Sequence, residues 1–184
     1  MPQADSYWSE AARAARGVAA VVVGDREVAR YFNLTPPGLA GSFIAVLLIT
    51  GIGAGLPILL GFPGRVLLSM VAVTLSFALQ VGCAAVALAQ AKRLDGFLPY
   101  LVVDNWATFY VTAAALALNL MGVGEEFIGF PLGVLIVIVA VNIGRLIVGL
   151  APLQVAMFVI AQVVGYLIGG LLSAALLPVP AISS

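Results

Sequence analysis

Five apolar stretches, each about as long as a bilayer crossing, fill most of this 184-residue chain, and the charged residues lie almost entirely between them. Crossing about 30 Å of hydrocarbon takes roughly 20 apolar residues in a helix. A helix satisfies its backbone hydrogen bonds within one segment, which lipid demands. The pattern therefore predicts an all-α polytopic membrane bundle of five transmembrane helices, with spans at 39–60, 66–89, 101–122, 127–148 and 153–177. With 63% hydrophobic and 9% charged residues, the chain has too little polar surface to cover a water-soluble globule.

Residues 1–38 form the one sizeable segment outside the spans, and 178–184 form a short tail. Ser6 to Phe32 reads as an amphipathic helix, with Ser6 at its start and Glu10 in its early turns. Trp8, Ala12, Ala15, Val18, Val22 and Tyr31 fall roughly on one face, and Arg13, Arg16, Arg26 and Arg30 mark the other. Two placements fit: flat in the headgroup region with the arginines toward anionic lipid, or packed on the ends of the spans. Pro36 and Pro37 are expected to stop this helix. Gly51, Gly53, Gly55 and Pro57 are expected to loosen or kink the outer half of the first span. No cleavable signal peptide is read at the N-terminus, so the first span is expected to direct insertion.

Basic residues near spans stay preferentially in the cytoplasm. With the N-terminus inside, that side holds Arg13, Arg16, Arg26, Arg30, Lys92, Arg93 and Arg145, against Arg65 alone outside. Five spans thus imply an outside C-terminus, and short loops with heavy Ala, Val, Leu and Gly usage suit a bacterial inner membrane.

Chemistry-bearing residues are few. Histidine is absent and Cys83 is the single cysteine, which removes the commonest general base and any disulfide or cysteine metal site. No catalytic, cofactor-binding or metal site is assigned. Eight basic and eight acidic residues cancel, giving no field that would recruit nucleic acid. Asp104 and Arg145 are the ionisable residues inside spans, and consecutive antiparallel spans place them at similar depth. A charge-assisted Asp104–Arg145 bond is the sharpest reading, with Asn105, Asn142 and Gln154 as polar neighbours. Hydration near the interface and a transport or binding site are the other two. Gln80, Asn119, Asn142 and Gln162 read as interhelical glue, and Trp8, Tyr100, Trp106 and Tyr110 as an interfacial aromatic belt. Gly51 with Gly55, and Ala161 with Gly165 and Gly169, are spaced for close helix packing, within the chain or between two copies. Glu125 and Glu126 read as a solvated turn.

The stretches YLVVDNWATF at 100–109 and NIGRLIVGLAPLQVA at 142–156, on an amphipathic segment followed by five spans, resemble small membrane proteins of the Yip1-like family. That resemblance implies a five-helix module without enzymatic activity and, in its eukaryotic branch, partners among small GTPases and trafficking factors. It transfers no functional residue. Three functions follow from the residues: a non-enzymatic scaffold or accessory subunit contacting lipid and other membrane proteins or itself, a transporter or channel subunit, and an intramembrane lipid-modifying enzyme. The lack of convergent catalytic groups favours the first.

Overall fold

The computed structural model describes residues 7–59 and 66–176, so the glycine–proline turn expected at 61–65 and the tail lie outside the described residues. Among those residues the chain is helical without strands: α1 (Tyr7–Val23), α2 (Pro36–Leu59), α3 (Val66–Gln90), α4 (Phe97–Leu120), α5 (Glu125–Asn142) and α6 (Pro152–Leu176). Five helices are long and apolar enough to cross a membrane, and α1 precedes them. The expected fold class is the one observed: this is an integral membrane protein.

The N-terminal helix is shorter than its sequence pattern predicts. Gly24 sits at φ +76°, and the bonds Gly24 N–H to Val21 O (3.1 Å) and Asp25 N–H to Ala20 O (2.9 Å) close a Schellman end. The arginine-bearing remainder forms a separate 3-10 turn, Val28–Tyr31. Pro36 and Pro37 open α2 instead of merely ending what precedes, because a proline's missing N–H costs nothing in a first turn. The helix then runs unbroken through Gly51, Gly53 and Gly55, where lipid leaves no alternative hydrogen-bond partner for the backbone.

Two seams organise the bundle. α3 packs along the length of α6, and α2 packs on α4. The densest core lies at the end where α1 crosses α4 and α5, around the fully buried Val21, Val28, Leu88, Tyr100, Trp106, Ile143 and Val148. Of the two placements open to α1, packing on the bundle is the one observed. Ala14, Gly17, Val18, Ala20 and Val21 are buried, the Tyr110 hydroxyl donates to the Ala11 carbonyl (2.6 Å), and Asn142 Nδ2 donates to the Val21 carbonyl (2.7 Å). Trp8 and Val23 are left exposed.

The α5–α6 corner departs from a simple turn. Ile143–Ile147 winds as a π-helix, with Val148 N–H bonded to Ile143 O, before Gly149 at φ +73° reverses the chain. Arg93, from the α3–α4 loop, donates through Nη1 to the Gly149 carbonyl (2.8 Å) and through Nη2 to the Val148 carbonyl. It thereby ties two loops at one end of the bundle. Arg93→Met should cost about 1 kcal/mol, below the range for charged hydrogen bonds because the side chain is partly exposed. Unfolding titrations in mixed detergent would show it.

Candidate functional site

The polar residues singled out from the sequence do not form one cluster. The Asp104 side chain is buried, 8% exposed, and no cation lies within ion-pair distance of it among the described residues. Arg145 is exposed. The expected Asp104–Arg145 bond is therefore absent, and the π-turn supplies the reason. In a continuous α-helix Asn142 and Arg145 share a face, but the widened turn shifts the register, so Asn142 points to α1 while Arg145 faces out. Nor is Asp104 left near an open interface, since α1 packs over this end of α4. The Asp104→Ala and Arg145→Ala effects are thus expected to add, with a coupling under about 0.5 kcal/mol in a double-mutant cycle.

Each remaining member has its own local job. Asn105 Nδ2 donates to Ser42 Oγ (3.0 Å), both fully buried, and so pins α4 to α2. Gln154 Oε1 accepts from Ala151 N–H (3.0 Å), closing the first turn of α6 instead of joining a cluster. Tyr100 lies one turn before Asp104, and its hydroxyl donates to Gln162 Oε1 on α6 (3.2 Å). Asp104 Oδ2, Asn105 Oδ1 and Trp106 Nε1 are buried without a hydrogen-bond partner among the described residues. Tyr100 and Trp106 are not belt residues. Trp106 is enclosed by the rings of Tyr7, Phe109 and Tyr110 at 6.1, 6.0 and 6.1 Å between centroids, and Tyr100 meets Phe158 edge-on at 5.2 Å. Burial and the neighbouring Glu10 carboxylate push the Tyr7 hydroxyl up, so the ring stays neutral where α1 meets α4.

The small-residue positions split in the same way. A Cβ on Gly165 would stand 2.8 Å from Gln80 Cα, and one on Gly169 2.5 Å from Ser76 Cα, so both glycines let α6 and α3 touch backbone to backbone. Hydrogen bonds reinforce this seam: Gln80 Nε2 to Gln162 Oε1 (3.5 Å) and Ser76 Oγ to Ser173 Oγ (3.5 Å). Among the described residues nothing lies within 4 Å of a Cβ on Gly51 or Gly55, so no close helix contact is seen at either. Ala161 is half-buried and lines an open groove on the α3–α6 seam, with Gly82 and Cys83 on the α3 side.

A crevice of about 370 Å³ between α5 and α6 was not anticipated from the sequence. Its walls carry Gly129, Gly133, Ile136 and Val137 from one side and Gln162 and Tyr166 from the other, with Gln80 of α3 beside them. Gln162 Nε2 is buried and has no acceptor among the described residues. The i, i+4 spacing of Gly129 and Gly133 was a signal available in the sequence. Among the described residues no group of three His, Cys, Asp or Glu side chains is placed to hold a metal. No known family, curated protein or solved structure matches the chain.

Proposed function

We propose that this integral membrane protein is a non-enzymatic scaffold or accessory subunit, associating with lipid and with other membrane proteins. One observation carries the reading: a set of intramembrane amides and hydroxyls bond from helix to helix. Asn105 meets Ser42, Gln162 meets Gln80 and Tyr100, Ser173 meets Ser76, and Asn142 and Tyr110 hold α1. Such bonds assemble a bundle in lipid, where helices gain nothing from excluding hydrocarbon. The likeness of the DNW entry and five-span layout to Yip1-like proteins agrees with this role.

The membrane is a bacterial inner membrane, with the N-terminus in the cytoplasm. The basic residues of α1, the 3-10 turn, the α3–α4 loop and the π-turn fall at one end of the bundle, the pattern by which cytoplasmic ends are recognised. A pull-down from gently solubilised native membranes, tagged at the N-terminus, tests the role. A membrane protein recovered in stoichiometric amount supports it. Recovery of the chain alone, with solute flux in reconstituted vesicles, would replace it with the transporter reading, for which the α5–α6 crevice with its two amides is the starting point.

A further inference from the structure

The contacts that hold α1 lie inside the spans, not beyond their ends. The Tyr7 ring meets Trp106 at 6.1 Å between centroids, and the Ala11 and Val21 carbonyls accept from Tyr110 and Asn142. Trp106 and Tyr110 belong to the span Leu94–Leu120, and Asn142 to the span Glu126–Ile147. At a rise of about 1.5 Å per residue, Asn142 lies roughly 7 Å in from the end of its span, and Trp106 about 13 Å along α4 from Phe97. Both ends of α1 are therefore anchored at membrane depth. The helix runs across the bundle within one leaflet instead of standing on top of it.

That depth decides what surrounds its other side. Ala14, Gly17, Val18, Ala20 and Val21 face inward, and the segment after the 3-10 turn folds back over Gly17, where a Cβ would stand 2.5 Å from the Phe32 ring. The side left over is Trp8, Ala12, Arg16, Ala19 and Val23, all exposed, and steps of four, four, three and four residues make them one stripe. Trp8 and Val23 are 79% and 80% exposed at its two ends. An apolar stripe of this kind at the boundary of the hydrocarbon is the lipid-facing side of an interfacial helix, with tryptophan at the headgroup level.

Arg16, at the middle of the stripe, separates lipid from other occupants. A two-fold contact with a second copy would set Arg16 against its own equivalent, and a foreign helix would need an acid at that one point. Lipid offers phosphate everywhere along the helix, and an arginine reaches it by extending its stem over apolar surface. The surroundings carry the same charge. Arg16, Arg26, Lys92 and Arg145 are exposed and make no ion pair among the described residues. The nearby acids are engaged locally: Glu27 pairs with Arg30, and Asp25 Oδ1 accepts from the Glu27 N–H. The 3-10 turn touches the π-turn, which brings Arg26 and Arg145 to one edge of the molecule.

We propose that α1 is a two-faced helix set into one leaflet: one face packs on the bundle, and the stripe Trp8, Ala12, Ala19 and Val23 contacts phospholipid acyl chains, with Arg16 bound to the phosphate of an anionic phospholipid. Packing on the bundle and immersion in lipid are thus both realised, on opposite faces of the same helix. Neither depends on the accessory-subunit role.

The test is electron paramagnetic resonance on the full chain in vesicles of phosphatidylcholine and phosphatidylglycerol. Single nitroxide labels go on Ala12→Cys, Ala19→Cys and Val23→Cys in a Cys83→Ala background, with Leu47→Cys on the exposed face of α2 as the hydrocarbon standard. Oxygen concentrates in lipid, and a neutral nickel chelate stays in water. The expected result is more frequent collision with oxygen than with nickel at all three α1 positions, as at position 47. The opposite ratio would place the stripe in water, and shielding from both reagents would place it against protein; either overturns the proposal. The three sites are independent and exposed, so a variant that loses its helicity by circular dichroism leaves the other two to decide. Arg16→Gln should weaken binding of the first phosphatidylglycerol, read by native mass spectrometry, by about fivefold, the equivalent of ~1 kcal/mol for one arginine at an anionic surface, and leave phosphatidylcholine binding unchanged. Equal binding of both lipids before and after the substitution would remove the phosphate from Arg16.

Discussion

Replacing Gly169 by leucine is expected to separate α6 from α3 and to cost about 3 kcal/mol or more, at the upper end of what overpacking does in a closed interior. The reason is geometric. A Cβ at that position would lie 2.5 Å from Ser76 Cα, which is backbone, so no rotamer change relieves the contact. The helices must move apart, and the Ser76–Ser173 bond and the Gly165 contact lie in the same seam. Gly51→Leu, a chemically identical change into open space, should fall within about 0.5 kcal/mol of wild type. Parallel unfolding titrations of the two variants separate close packing from the intrinsic effect of a glycine in a membrane helix. Equal losses would mean that the α3–α6 seam is not held by close approach.

Trp106→Ala should cost about 3 kcal/mol, the low end for an aromatic truncated to alanine, because the unfolded reference in lipid keeps the ring out of water. Trp106 is fully buried and in ring contact with Tyr7, so the cavity opens between α1 and α4. The loss should be visible locally before it is visible globally. Amide hydrogen exchange in α1 should accelerate while α3 and α6, joined along their own seam, stay protected. Uniform acceleration across all six helices would show that α1 is not a separable unit.

The course of the five spans could be read from the sequence, because hydrophobic length and charge placement decide it and neither depends on tertiary contacts. The path of α1 was half legible. Its amphipathic pattern was plain, but Gly24 was read as a mid-helix residue, and only the positive φ reveals it as an end. The placement of polar residues was the weakest part. Asp104 and Arg145 share a depth, and depth was the argument for pairing them, yet the rotation of a side chain about its helix is set by local winding. One π-turn at Ile143–Ile147 sends Arg145 outward, and nothing in the stretch VNIGRLIVG at 141–149 marks where such a turn will form. Glycine spacing had the same ambiguity. Gly51–Gly55, Gly129–Gly133 and Gly165–Gly169 are alike as patterns, and which pair touches another helix depends on how the whole bundle is arranged.

The central claim, a five-span bundle with α1 folded onto the end proposed above as cytoplasmic, is tested most directly by locating the two termini. Separate fusions of a fluorescent protein that matures only in the cytoplasm and a phosphatase active only outside it would be placed at each end of the chain. The account requires fluorescence from the N-terminal fusion and phosphatase activity from the C-terminal one, since five crossings put the ends on opposite sides. Both termini reporting the same side would mean an even number of crossings, and would contradict it.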